Sequence, residues 1–399
     1  MVPIEGVNGK PVLGWFDAGD RRIEPEESAL EQIRTTAALP FVERMAVMPD
    51  VHVGRGSTIG TVLETRGAVI PAAVGVDIGC GVLAWRTRVE GVEALGDLGA
   101  LRREIERLVP HGRTNDGGPG DRGAWHDVPA RVRSRWDATS VGRPPLYMLH
   151  EALCDAAPEL RKANALRHLG TLGTGNHFAE LDLDEENRVW ILVHSGSRGI
   201  GAAIGNHYAR KAKALRAAAG DELPSPDLAW IETAEEACRD YSDAHDFAVA
   251  FGEVNRGLIA DGVRDALDAV LGEAGVDLTV DCRHNYVERT SRGTYVTRKG
   301  AVKADVGATV VIPGSMGTRS YACEGLGVAE ALESCSHGAG RAMSRTEARK
   351  RISAAAHAEA TLGVECRKDE GLVDESPGAY KDIVLVMDCQ RDLVRIVHS

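Results

Sequence analysis

The 399-residue chain is short of positive charge: 47 lysines and arginines stand against 59 aspartates and glutamates, for a formal net charge of −12. Nonspecific nucleic-acid affinity comes from cations set against phosphates, which argues against a protein that coats RNA or DNA nonspecifically but does not exclude a local basic groove. Long apolar runs are also lacking. None approaches the roughly 20 residues of a membrane span, and Met1-Val2-Pro3-Ile4-Glu5-Gly6 is not the basic-then-apolar start of an export signal. The cytoplasm is the expected compartment, with no membrane partner. The 8 cysteines are scattered singly, a poor match to a disulfide framework, and are expected to be reduced and mostly buried. Internal repeats, low-complexity tracts and Pro-, Gly- or Ser-rich linkers are missing. So are Gly-x-x-x-x-Gly-Lys-Ser/Thr, which argues against ordinary P-loop chemistry, and the Lys-x-Asp-Gly motif of ligases that load a nucleotide on lysine.

What is present reads as a folded globular chain, 43% hydrophobic and 27% charged. Its length suits two or three domains, or one large one. Helices are predicted over Pro25–Leu39, Leu98–Leu108 and Ile200–Ala218, and a capping box, Thr233-Ala234-Glu235-Glu236, is predicted to open a long helix reaching about Gly275. Ser344-Arg345-Thr346-Glu347 is a second capping box. Short apolar runs predict strands at Met45–Met48, Gly60–Leu63, Ala68–Val76, Val82–Ala84, Leu278–Cys282, Thr294–Thr297, Ala308–Ile312 and Ile383–Met387, and Gly112–Gly123 reads as a loop. The expected class is α+β: one large domain over 1–399, with central β-sheets flanked by helices and a helical insertion at about 200–275.

Asp77-Ile78-Gly79-Cys80 ends the run Ala68–Val76 and sets a carboxylate three residues from a thiol. Four further segments place a histidine in a Gly-, Ser- or Asn-rich setting: Gly173–His177, Val193–Arg198, Cys282–Tyr286 and Cys335–Arg341. Asp77, Cys80, His177, His194 and His284 would offer one carboxylate, one thiolate and three imidazoles, a set that suits zinc, manganese, iron or cobalt better than calcium or magnesium. His337 differs, because Gly338 and Gly340 flank it and a capped helix follows. Backbone N–H groups of such a turn can cradle phosphate, Arg341 can add a bidentate contact, and an imidazole there can attack phosphorus. A turn that merely packs tightly reads equally well. Pro313-Gly314-Ser315-Met316-Gly317 is a second glycine turn after a strand. Basic clusters at Arg131–Arg135, Arg161-Lys162, Arg210–Lys213 and Arg345–Arg351 read individually as solvated helix faces.

At these segments the chain resembles the RtcB family of RNA ligases. The resemblance runs from about Phe41 to Leu393 and includes Met48-Pro49-Asp50-Val51-His52-Val53-Gly54, Pro71–Gly81, His111-Gly112-Arg113-Thr114, Gly170–Glu180, His194–Gly201, His284-Asn285-Tyr286, Thr297-Arg298-Lys299-Gly300, Ile312–Gly317, Cys335–Arg341 and Val364–Asp369. It implies that Asp77, Cys80, His177, His194 and His284 hold two Mn²⁺ ions with Cys80 bridging, and that His337 takes GMP from GTP. It further implies that Asn176, Glu180, Asn285, Ser320 and the loop Gly338, Ala339, Gly340 meet the guanine nucleotide, with Arg198 and Arg341 near RNA or phosphate. The reaction implied joins 2′,3′-cyclic phosphate or 3′-phosphate RNA ends to 5′-hydroxyl ends, in tRNA splicing or RNA repair. Its partners would be RNA and an archease-type activator, and the protein would be a monomer or homodimer.

Family members usually continue past Asp392-Leu393-Val394 to a lysine that contacts guanine, whereas this sequence reads Val397-His398-Ser399. That departure motivates the alternative of a divergent paralogue, a metal-dependent RNA-end phosphodiesterase without ligation. A noncatalytic RNA-binding protein with a structural metal ranks last, because it gives Arg198, Glu180 and His337 no task.

Overall fold

A computed structural model describes residues 1–5, 9–112, 122–138 and 143–399. Arg113 and Thr114 of the resemblance, and most of the loop expected over Gly112–Gly123, lie outside them. Packing divides the chain into two compact units: Met1–Gly75, Ala212–Thr233 and His284–Ser399 form the first, Val76–Lys211 and Ala234–Arg283 the second. Both combine sheets with helices, the α+β class expected from sequence. Among the described residues, no helix is long and apolar enough to cross a membrane.

The first unit is built on a six-stranded sheet in the order Val2–Pro3, Val12–Gly14, Val42–His52, Ile59–Thr65, Tyr295–Lys299, Asn285–Arg289. Only the Val12–Gly14 pairing with Val42–His52 is parallel. Side chains alternate across a strand, so Met45, Val47 and Val51 join Leu63 in a core that the helix Glu27–Ala37 closes with Ile33 and Ala37, four residues apart on one helical stripe. Two smaller sheets follow. Ala301–Lys303 pairs with Ser334–Ser336, which delivers the chain directly to His337, and Thr309–Ile312, Tyr321–Gly325 and Val394–His398 form the other.

The second unit holds a wholly antiparallel sheet in the order Val276–Arg283, Gly81–Glu90, Arg188–Ser195, Phe178–Leu183. Val189, Ile191 and Val193, every second residue of one strand, pack against Ile259, Val263 and Leu267 of the 36-residue helix Glu236–Leu271. The same alternation turns His194 to the opposite face.

Three local expectations are corrected. Ala68–Val76 is not one strand: pairing stops at Val69, and Pro71, which has no N–H to give a ladder, opens a 3-10 turn over Pro71–Ala73. Asp77–Cys80 therefore lies on a turn ahead of the strand Gly81–Glu90, closed by Cys80 N–H donating to the Asp77 carbonyl at 3.2 Å. The long helix starts at Glu236 without a side-chain cap, its N-cap being Glu235, while Thr233 continues the Ile231–Glu232 pairing with Ala68–Val69 by donating its N–H to Gly67 (2.9 Å). Ile383–Met387 is helical, within Ile383–Cys389: Asp382 caps it through Val384 N–H, and Ile383, Val386 and Met387 bury one helical stripe. The Ser344 box forms as predicted, Ser344 accepting from Glu347 N–H at the start of Arg345–Arg351.

Candidate functional site

In the second unit, Asp77, Cys80, His177 and His194 converge. Cys80 Sγ lies 3.3 Å from His194 Nε2 and 3.6 Å from His177 Nε2, and Asp77 Oδ2 lies 3.0 Å from His177 Nε2. The ligating atoms of Asp77, Cys80 and His177 all fall within 4.8 Å of one another. Each imidazole is aimed from behind: His177 Nδ1 donates to the Leu172 carbonyl (2.9 Å) and His194 Nδ1 to the Asn176 carbonyl (2.8 Å). Anchoring Nδ1 this way fixes each ring's orientation and aims Nε2 into the cluster, where it can offer a lone pair once a metal displaces the proton that His177 shares with Asp77. Ser197 holds Asp77 Oδ1 through its N–H (3.0 Å) and hydroxyl (3.2 Å). Burial alone would raise the Asp77 carboxyl, yet hydrogen bonding with His177 and the charges of His177 and Arg198 hold it below its ordinary value. Burial and the neighbouring Asp77 carboxylate push the Cys80 thiol well up. An acid, a thiol and two imidazoles pressed together in a desolvated spot fit a borderline divalent metal.

Arg198 opens the helix Arg198–Ala219 with a left-handed backbone, φ 59°, uncommon for a residue with a side chain. Its Nε donates to the Thr171 hydroxyl (3.2 Å), and burial lowers its pKa against the pull of Asp77 and Cys80. Glu180 sits on the edge strand Phe178–Leu183.

In the first unit, His337 follows the strand Ser334–Ser336 and meets Asp50, a fully buried carboxylate on Val42–His52. One oxygen, Asp50 Oδ2, accepts both the His337 ring Nδ1–H (2.5 Å) and the His337 backbone N–H (3.2 Å). Nε2 is thereby left as the ring's lone-pair nitrogen. Gly340, at φ +72°, lets the following loop lie on the Asp50 strand, since a Cβ there would stand 2.3 Å from the Asp50 carbonyl oxygen. Lys381 ties the two pieces together: its Nζ donates to Val51 (2.8 Å) and Pro49 (3.0 Å) carbonyls, while its N–H donates to Gly340 (2.9 Å). Burial lowers the Lys381 ammonium to about 8 against the pull of Asp50. His52, whose Nδ1 donates to the Asp50 carbonyl (2.9 Å), is pushed down to about 4 by burial and is neutral at pH 7.

His284 stacks edge-on against His337, ring centres 4.7 Å apart, and Asn285 Oδ1 accepts from Gly300 N–H at 2.9 Å. Ser320 directly precedes the strand Tyr321–Gly325. Arg341 turns inward, donating to the carbonyls of Asp374 (2.8 Å) and Met343 (3.0 Å), with Glu375 3.6 Å away. Members of each basic cluster carry acidic partners: Arg131 with Asp265, Arg161 with Glu151, Lys211 with Asp240, Arg349 with Asp374. They behave as the solvated faces expected of them. Asp50, within the Met48–Gly54 segment, has no role among the residues expected from sequence. Its signal was a carboxylate inside the largely apolar strand Val42–His52, where only a partnered acid is tolerable.

The family model described as "tRNA-splicing ligase RtcB" matches residues 32–399. The RNA-splicing ligase RtcB of Escherichia coli (strain K12) is 44% identical, over 98% of this chain and 95% of that protein. The tRNA-splicing ligase RtcB of Nanoarchaeum equitans is 32% identical, over 100% of this chain and 93% of its own length. The RNA-splicing ligase RtcB2 of Escherichia coli (strain ATCC 25922) is 31% identical, over 91% and 87%. The match spans nearly the whole chain and takes in both the Asp77–His194 cluster and the Asp50–His337 pair, so this chain belongs to the RtcB family.

Proposed function

We propose that this chain, an RNA ligase of the RtcB family, joins 2′,3′-cyclic phosphate or 3′-phosphate RNA ends to 5′-hydroxyl ends with GTP, through a GMP carried on His337. The observation that carries the reading is the Asp50–His337 pair. With Nδ1–H held by a buried carboxylate, Nε2 can attack the α-phosphorus of GTP, and the carboxylate offsets the positive charge growing on the ring as pyrophosphate leaves. The RNA 3′-phosphate oxygen then takes GMP from His337 and restores the imidazole. The 5′-hydroxyl attacks that 3′-phosphorus, a phosphodiester forms and GMP departs. A cyclic end enters after water breaks its P–O2′ bond.

Asp77, Cys80, His177 and His194, joined by His284, are the proposed ligands of two Mn²⁺ ions, Cys80 bridging. Bound metal would align phosphate oxygens, acidify an attacking hydroxyl and neutralise developing oxyanion charge. Asn176, Glu180, Asn285, Ser320 and Gly338–Gly340 are the proposed guanine-nucleotide contacts, with Arg198 and Arg341 at RNA or phosphate. We read 1–399 as one ligase module with the helical stretch 200–275 inserted. A cytoplasmic role in tRNA splicing or RNA repair, with an archease-type activator and a monomeric or homodimeric state, belongs to the same reading. Hydrolysis without ligation gains no specific support, because it leaves the oriented His337 without a task.

The test is incubation of the purified protein with α-labelled GTP and Mn²⁺. The expected result is an acid-labile GMP adduct that disappears in His337→Ala; label retained in that variant, or no adduct in the wild type, refutes the assignment.

A further inference from the structure

Two consecutive residues of the long helix Glu236–Leu271, Asn255 and Arg256, are 0% and 2% exposed, among apolar neighbours such as Phe251, Leu258 and Ile259. Burying an amide and a guanidinium is tolerable only where every polar atom finds a partner. Arg256 pairs bidentately with Asp281 through Nε (2.8 Å) and Nη2 (2.9 Å), and its Nη1 reaches two main-chain oxygens, Gly79 at 2.7 Å and Ser195 at 3.1 Å. Gly79 precedes Cys80 and Ser195 follows His194. Asn255 Oδ1 accepts from Gly170 (2.7 Å) and Thr171 (3.2 Å) N–H groups, and its Nδ2 donates to the Ser195 hydroxyl and the Gly196 carbonyl, both at 3.1 Å. The Ser195 hydroxyl in turn donates at 3.0 Å to the Leu172 carbonyl that anchors His177.

The helix backbone makes the same contact without side chains. Gly79 has φ +76°, and a Cβ on it would stand 2.7 Å from Val249 Cα, while a Cβ on Gly252 would stand 2.5 Å from the Gly79 carbonyl oxygen. One helical stretch therefore touches the chain beside Cys80, His194 and His177, yet none of its atoms is a ligand.

We infer that Asn255 and Arg256, with the bare helix surface at Gly252, are positioning residues for the metal centre: they hold the Cys80 turn and the His177 and His194 segments in ligating geometry. Donors on separate segments keep their spacing only if the backbone behind them is fixed, and changes to such outer contacts typically weaken metal binding by about 10–100-fold. The inference rests on the metal reading above, and the experiment separates the two.

The full-length wild type, Arg256→Met, Arg256→Lys and Gly252→Ala are titrated with Mn²⁺ alone by calorimetry, and the melting temperature of each metal-free protein is recorded. The wild type is expected to bind. Arg256→Met should bind at least about tenfold more weakly, and Arg256→Lys should recover part of that loss because an ammonium still donates to one of the carbonyls. Gly252→Ala gains helix propensity but drives its Cβ against the Gly79 carbonyl oxygen, so weakened Mn²⁺ binding in a variant that still folds is its expected result, and it stands even if Arg256→Met fails to fold. Folded variants with wild-type Mn²⁺ affinity, whatever their melting temperatures, would overturn the positioning role alone. A wild type that binds no Mn²⁺ overturns the metal reading and the positioning role with it.

Discussion

The two candidate sites use histidine in opposite ways. In the second unit, His177 and His194 are anchored at Nδ1 by the neutral carbonyls of Leu172 and Asn176. In the first, His337 is anchored at Nδ1 by the buried carboxylate of Asp50. Both anchors hold Nδ1 and leave Nε2 facing the site. A carbonyl does so without adding charge, which suits a ligand that must stay neutral to share its lone pair with a cation. A carboxylate also stabilises positive charge on the ring, which suits a nucleophile that becomes cationic as it attacks phosphorus. On the proposed assignment, the task of each imidazole is set less by the residue than by the charge behind it.

Removing the thiol is the strongest way to break this comparison. Cys80→Ala is expected to weaken Mn²⁺ binding by more than the roughly 10–100-fold of an outer-contact change and to abolish ligation, as read by metal titration and joining of a 3′-phosphate RNA to a 5′-hydroxyl RNA. Unchanged Mn²⁺ affinity would mean that the cluster is not a metal centre. Asp50→Asn comes next. An amide donates where the carboxylate accepts, so the ring would turn its proton to Nε2, and GMP-adduct formation should fall on the order of 10⁴-fold, as when a buried carboxylate that orients a catalytic histidine is amidated. Mn²⁺ affinity should persist. If instead metal binding collapsed and adduct formation survived, the division of labour drawn here would be wrong.

The sequence made the proposed site residues easier to read than their supports. Asp77 and Cys80 declare themselves by spacing, and His177, His194, His284 and His337 by their small polar neighbours. Asp50, Asn255 and Arg256 do not, because a buried polar residue inside an apolar strand or helix acquires meaning only from the distant backbone it meets: Asp50 meets His337, and Arg256 meets Gly79, 177 positions away. Local structure failed where tertiary context outweighed pattern. Ile383–Met387 has the β-branched density of a strand, yet Asp382 caps it and one stripe is buried, so it is helical. Thr233 has the spacing of a cap, but it extends a strand pairing by donating to Gly67, and the helix begins only after Glu235.

The first unit also buries cations against carbonyls. Lys299 donates its Nζ to Ser57 at 2.8 Å and to Arg55, and burial drives the ammonium down to about 7 from an ordinary 10.5. Below about pH 7 the lysine is protonated folded and unfolded alike, and the burial penalty is felt in full. Between about 7 and 10.5 the unfolded chain keeps a proton that the native state has lost, so wild-type stability rises with pH there relative to a variant without the lysine. Urea unfolding of wild type and Lys299→Met at pH 7 and pH 9 should show the difference moving in favour of the wild type by about 2 kcal/mol, at about 1.4 kcal/mol per pH unit. Parallel profiles would show that the ammonium is not perturbed.

The smallest expected effect sharpens the account of the His337 loop. The order of that loop and a capped helix suggested a phosphate cradle made partly by the helix N-terminus, but the helix Arg345–Arg351 has 7 residues and starts four positions beyond Arg341. Ser344 caps it by accepting from Glu347 N–H at 3.2 Å, in an exposed position. Ser344→Ala should therefore cost about 1 kcal/mol of stability, the usual loss for a cap, while leaving the KM for GTP in adduct formation unchanged. Orientation of His337 by Asp50, and not the dipole of a short helix, would then account for nucleotide transfer; a raised KM in a variant of near-normal stability would instead give the helix start a share in holding the phosphates.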